Sequence, residues 1–249
     1  MIDTIPFEIA FDVSPPFARK TVELRLEMAS EDGLEEMIDM FDCVVGLAQL
    51  GAFSAGGSRI ATVWGGEATI RGALWRRELS VGDVDQSFWR VLAQMSVQCH
   101  HHLAEIERLF VGEDGFDGVS VPVTHLLTTP YLPAPGPLPF SLVRPDDVGG
   151  DVVAIRATTA VPIDEEMFED LKKAFEDWGS LVYVGGFADA GAPIAEFQLA
   201  RVEVARLHDT MIECAAMGWN APDEALDCVI RMCQGLHDHV VPILELELE

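Results

Sequence analysis

The chain repeats itself, and this constrains its fold more than any single motif. Leu47 to Ala61 aligns without a gap to Leu181 to Ala195 at an offset of 134, keeping Gly51/Gly185, Phe53/Phe187, Gly57/Gly191, Ile60/Ile194 and Ala61/Ala195. Upstream, Ile5-Pro6-Phe7-Glu8-Ile9 corresponds to Leu138-Pro139-Phe140-Ser141-Leu142, and Val22-Glu23-Leu24-Arg25 to Val153-Ala154-Ile155-Arg156. Glu35-Glu36-Met37-Ile38-Asp39 matches Glu165-Glu166-Met167-Phe168-Glu169. Downstream, Met95/Met232, His100/His237, His102/His239, Ile106/Ile243 and Leu109/Leu246 coincide at an offset of 137. The order never changes and the offset drifts by a few residues, as loop insertions produce. A fold read without this repeat would be misassigned.

Three segments are therefore expected: a first repeat over 1–111, a linker over 112–137, and a second repeat over 138–249. Pro130, Pro133, Pro135 and Pro137 favour extended backbone in the linker. Val119 to Leu127 is apolar enough to lie against a domain as an arm.

Within each copy the hydrophobic period changes in the same order. Val22, Leu24 and Leu26 alternate with Glu23, Arg25 and Glu27, the pattern of a strand over 20–28 with one buried face. Leu34, Met37, Ile38, Phe41, Val44 and Val45 then recur at helical spacing, with Asp32 and Glu35 at the amino end, and Met167, Phe168, Leu171, Ala174 and Phe175 draw the same stripe after Asp164. The glycine-punctuated segments 47–55 and 181–189 read as strands, as do 60–79 and 194–217. Phe88, Val91, Leu92 and Met95 mark a second helix, and Asn220-Ala221-Pro222-Asp223 opens its partner. Closing strands run from Ile106 to Val111 and from Ile243 to Leu248. The pattern predicts an α+β fold: a tandem duplication of a ferredoxin-like (split βαβ) α/β sandwich, with an extra N-terminal strand in each copy at 5–11 and 138–144. Such units are expected to pack through their sheets or to pair edge strands.

Charge narrows the function. The 249 residues carry 16 Lys+Arg against 42 Asp+Glu, a formal charge of −26, so direct nucleic-acid binding by net attraction is excluded. A hydrophobic content of 49% is enough for a core and sets the chain apart from a disordered acidic tail. Acid clusters such as Glu31-Asp32 and Asp164-Glu165-Glu166 fall in first turns, where carboxylates suit the helix dipole. Residues 1–111 carry 9 basic and 17 acidic side chains and 138–249 carry 7 and 22, so the second copy is the one that would meet a cationic partner if the protein has one. No signal peptide, apolar span or basic amphipathic helix is visible, so a cytoplasmic protein with no membrane attachment is expected. The five cysteines include no Cys-x-x-Cys pair and read as reduced, buried thiols.

Chemistry is sparse. Cys99-His100-His101-His102 and Leu236-His237-Asp238-His239 place five of the seven histidines in corresponding segments, with His100/His237 and His102/His239 matched. His100, His102, His237 and His239 are the candidate metal ligands, for Zn or another transition metal, provided the two segments converge. The opposing reading is a helix terminus, where imidazole suits the negative end of the dipole. His208-Asp209 near Cys214 lacks a glycine-flanked elbow and reads as a turn between strands. Gly56-Gly57, Gly65-Gly66 and Gly185-Gly186 fit neither phosphate-loop pattern. Arg25 and Arg156 are expected to make cross-strand ion pairs. The leading expectation is a binding or regulatory protein without catalytic machinery or cofactor, whose composite site between the repeats takes a protein or small-molecule ligand. The alternatives are a metal-binding protein or metal-dependent enzyme using the paired His-x-His segments, and an acidic nucleic-acid mimic or inhibitor of a basic protein.

Overall fold

The computed structural model describes residues 8–10, 20–54, 63–81, 86–103, 105–112, 120–122, 137–145, 148, 150–188 and 198–249. The first half runs β1 (Glu8–Ala10), β2 (Lys20–Met28), α1 (Leu34–Gln49), β3 (Val63–Arg71), β4 (Leu74–Val81), α2 (Gln86–His102) and β5 (Ile106–Gly112). After β6 (Ser120–Pro122), the second half runs β7 (Ser141–Val143), β8 (Val152–Thr159), α3 (Glu165–Tyr183), β9 (Arg201–His208), β10 (Met211–Met217), α4 (Asp223–His239) and β11 (Ile243–Leu248). The described residues form a mixed α+β architecture with four helices and two sheets.

The first sheet has the order β3-β4-β2-β5-β1-β6 and the second β7-β11-β8-β10-β9. Read from the opposite edge, the second sheet places its strands as the first does. β1 runs parallel to β5 with Ile9 beside Leu109, and β7 runs parallel to β11 with Leu142 beside Leu246. Every other pairing within the sheets is antiparallel. β6, inside the proline-bearing segment, adds an edge strand to the first sheet against β1. Residues 55–62 before β3 and 189–197 before β9 lie outside the described residues, as does most of the linker.

Alternation decides which face of each sheet is buried. In β2, Leu24, Leu26 and Met28 point inward at no more than 4% exposure, and β8 alternates in the same way through Val153, Ile155 and Ala157. Each fully buried aliphatic side chain contributes about 1.5–3 kcal/mol relative to exposure. Trp75, Trp89 and Trp178 are core residues, and the Trp178 indole N–H donates to the Ala225 carbonyl at 2.9 Å.

Of the segments 47–55 and 181–189, expected as strands, the described residues 47–54 and 181–188 are instead helix ends and the turns after them. α1 and α3 continue to Gln49 and Tyr183, and Gly51 and Gly185 follow in the left-handed region, each at φ +79°. The Gly51 N–H donates to Ala48 O at 3.0 Å and the Ala52 N–H to Leu47 O at 3.1 Å. The Gly185 N–H donates to Val182 O at 3.0 Å and the Gly186 N–H to Leu181 O at 2.8 Å. These paired bonds form a Schellman cap, which needs a residue without a Cβ penalty at that position. The glycines that suggested strand punctuation are helix stops.

The amino ends follow expectation in part. Glu35 lies in the first turn of α1, whose N-cap Gly33 makes no side-chain cap bond, whereas the Asp164 carboxylate accepts from the Met167 N–H at 2.9 Å. Pro222, and not Asn220, caps α4.

The halves meet through their helices. α1 packs on α3, and a methyl group added at Gly235 of α4 would run into the Leu50 carbonyl at the end of α1. A Cβ at Gly185 would lie 3.3 Å from the Gln98 side chain of α2. The layers therefore run sheet, helices, helices, sheet. Among the described residues, packing through the sheets or pairing of edge strands, the arrangement expected from the sequence, is not what joins the halves. The outward sheet faces carry arginine and glutamate side chains whose burial would be costly, while the helices offer glycine at their close approaches.

Candidate functional site

α2 and α4 are the innermost elements. Residues 87–99 of α2 are buried without interruption, and so are 228–236 of α4. An ordinary amphipathic helix would leave one face wet. Here the second face meets the other half, and it is polar: Arg90 and Gln94 on α2 and Arg231 and Gln234 on α4 are each at most 8% exposed.

A cavity of about 20 Å³ opens where the amino ends of these two helices meet the carboxyl ends of α1 and α3. Phe53 follows α1 and Phe187 follows α3, and both rings line it. Ser87 and Val91 come from α2, and Glu224, Cys228 and Arg231 from α4. The Arg231 guanidinium crosses between the halves and donates to the Ser54 carbonyl at 3.4 Å. Asp227, also at the wall, is held by Arg144 at 2.8 Å, and Arg144 reaches Asp223 at 3.3 Å. Among the described residues Glu224 makes no ion pair and is half-buried. The site thus offers one uncommitted carboxylate, a buried guanidinium and two aromatic walls.

A second seam lies between α1 and α3. The Cys43 thiol contacts Asp177 Oδ1 at 3.5 Å, and Lys173 donates to both oxygens of Asp177 at 3.0 and 2.9 Å. Burial and then the Asp177 charge push the Cys43 thiol up to about 12, so it is a neutral thiol near pH 7. All five cysteines are free and buried. Burial pushes Cys99 and Cys228 to about 12 and raises Cys214 and Cys233 as well, leaving no activated thiolate among them. Cys214 faces the core from β10, whereas His208 sits exposed at the end of β9, so no nucleophile–base pair is assembled there. A wider groove of about 370 Å³ runs between α3 and β9 over Gly179 and Tyr183, with only Met40 supplied by the first half.

The His-x-His segments end α2 and α4. The Ile106 N–H donates to His100 Nδ1 at 3.0 Å, and the Ile243 N–H donates to His237 Nδ1 at 3.0 Å. Each ring clasps a helix end to the strand that follows in its own half. His102 and His239 are exposed. Among the described residues no group of three or more His, Cys, Asp or Glu side chains is placed to hold a metal ion. No described helix is long and apolar enough to cross a membrane.

The cavity residues escaped the sequence reading for two reasons. Phe53 and Phe187 were visible as a matched pair but lay in segments assigned to strands. Glu224 and Arg231 have no counterpart of the same type in the first half, so the repeat did not single them out. No protein-family model matches the chain, and no curated protein matches it.

Proposed function

We propose that the chain is a tandem duplication of a ferredoxin-like unit and works as a binding or regulatory protein, with its composite site at the α2–α4 seam. Several contacts support the duplication. The core strands follow one lateral order in both sheets, which is that of a split βαβ unit. The Schellman caps fall on the matched glycines, and the histidine clasps on the matched histidines. Cys43 and Asp177 occupy matched positions at the offset of 134 and touch each other, as residues on an approximate two-fold axis do. Gln98 and Gly235 are matched as well, and each meets the capped end of the opposite first helix.

The observation that carries the binding reading is the lining of the cavity: Phe53 and Phe187, Ser87 and Glu224, and Val91 and Cys228 are three matched pairs around one opening. A site built this way forms only when the two units are joined. At rest it has room for about one water molecule, so a larger ligand enters as the helix ends part. Glu224 selects a ligand with a cationic or hydrogen-bond-donating group, and the phenyl rings cover its apolar part.

A thermal-shift panel of small amines and amino acids tests this. A compound that raises Tm in the native protein is expected to lose its effect in Glu224→Gln and in Val91→Trp, with the unliganded melting of Glu224→Gln unchanged. A panel in which no stabilisation depends on Glu224 or Val91 overturns the assignment of the site.

A further inference from the structure

We propose that the outward face of the first sheet docks an acidic polypeptide segment. Strand register places its arginines together. Arg71 of β3, Leu74 of β4, Glu27 of β2 and Arg108 of β5 form one row across the outward face. Thr69, Arg76 and Arg25 form the next. Arg71 and Arg108 are separated by three strand spacings, about 14 Å, with Arg76 between them on the adjacent row.

Three of these guanidinium groups are uncommitted. Arg71, Arg76 and Arg108 are exposed and, among the described residues, make no ion pair. Arg25 lies 3.4 Å from Glu27 on its own strand, and its direct cross-strand neighbour is Arg76. Like charges directly opposite in a sheet are destabilising. The second sheet resolves the same register differently: Arg156 of β8 faces Glu213 of β10 at 2.6 Å and reaches Glu249 at 2.7 Å. Where β5 has Arg108 opposite Glu27, β11 has Glu245 opposite Thr158. These two rows thus carry four arginines against Glu27, with Glu78 on the row beyond, in a chain whose formal charge is −26.

That contrast selects the partner. A guanidinium fork takes a carboxylate through two parallel hydrogen bonds, so three uncommitted arginines suit an acidic segment with carboxylates about 10–14 Å apart. A nucleic acid carries phosphates well past the patch, where the surrounding acidic surface repels them. A short run of Asp and Glu side chains ends where the patch ends.

The experiment is fluorescence anisotropy with a labelled hexaglutamate peptide at low ionic strength, alongside a labelled oligothymidylate of equal charge. The native protein is expected to bind the peptide more tightly than the oligonucleotide, with affinity falling steeply as salt is added. Arg76→Glu combined with Arg108→Glu is expected to weaken peptide binding at least tenfold, and the milder pair Arg76→Gln with Arg108→Gln severalfold. Arg201→Glu, on the second sheet, is expected to change it less than twofold. Circular dichroism confirms that each variant is folded, and the Gln pair carries the test if the Glu pair is not. No peptide binding at low salt, binding indifferent to both pairs, or tighter binding of the oligonucleotide each overturns the proposal.

Discussion

The two sheets share a strand order and an inward apolar face, yet their outward faces differ in charge at the same register. In the second, Arg156 is enclosed by Glu213, Glu247 and Glu249 at 2.6, 3.7 and 2.7 Å. In the first, Arg25 lies 3.4 Å from Glu27 on its own strand, and its cross-strand register partner on β4 is Arg76. Inward positions must fit a close-packed core and so keep their apolar character. Outward positions answer only to water and to whatever lands on them, and there the halves differ.

The helices differ in a related way. α4 approaches α1 through Gly235, while the corresponding approach of α2 to α3 is made by Gln98 against Gly185. Gly235→Ala is expected to destabilise the protein by about 3 kcal/mol, because the added methyl meets backbone that cannot move aside. Gln98→Ala, its counterpart, only trims a side chain and is expected to cost about 1 kcal/mol. Denaturant melts giving equal losses would break the distinction.

The thiols sharpen the view of both cores at alkaline pH. Burial holds Cys43, Cys99 and Cys228 up at about 12, well above the ordinary thiol range, so the unfolded chain loses their protons first. Their stabilising effect is complete below pH 9 and disappears as pH rises toward 12. Melts across that window are expected to fall steeply. A thiol reagent at pH 8 is expected to modify none of the five in the folded state and all five in denaturant.

His100 and His237 are the point at which the halves agree. Replacing either by Ala leaves an isoleucine N–H without its acceptor, an expected loss of about 1–2 kcal/mol in each half. Stoichiometric metal in protein purified without a tag, lost in both variants, would point to ligation over the clasp. At the helix starts the halves differ again. Asp164→Ala is expected to cost about 1 kcal/mol by removing a side-chain cap, whereas Asp32→Ala is expected to change stability little, since α1 has no such cap. The smallest effects belong to the sheet surfaces. Glu213→Arg, which copies the first sheet's pairing into the second, is expected to cost less than about 1 kcal/mol, and Arg76→Glu to gain a few tenths.

The register of Leu24 and Leu26, the stripe from Leu34 to Val45 and the opening of α3 by Asp164 were all legible, because strands and helices bury one face at a period that side chains must follow. The stretch that matched best was the one misread. Gly51 and Gly185 carry the same sequence signal whether they interrupt a strand or end a helix, and the Schellman bonds that distinguish the two are made to carbonyls three and five residues back. The histidines were found by their pairing, but their partners, the Ile106 and Ile243 amides, are backbone atoms with no signature in composition.

By itself, the sequence determined the order of elements, the inward faces and the acidity, since each depends on local periodicity or on a sum over residues. Only the tertiary structure decided that the halves meet helix to helix, that Glu224 and Arg231 share a cavity with Phe53 and Phe187, and that Arg76 lies opposite Arg25. Those relations join residues separated by tens to hundreds of positions. They are set by which surfaces can approach closely enough to exclude water, and no local period records that.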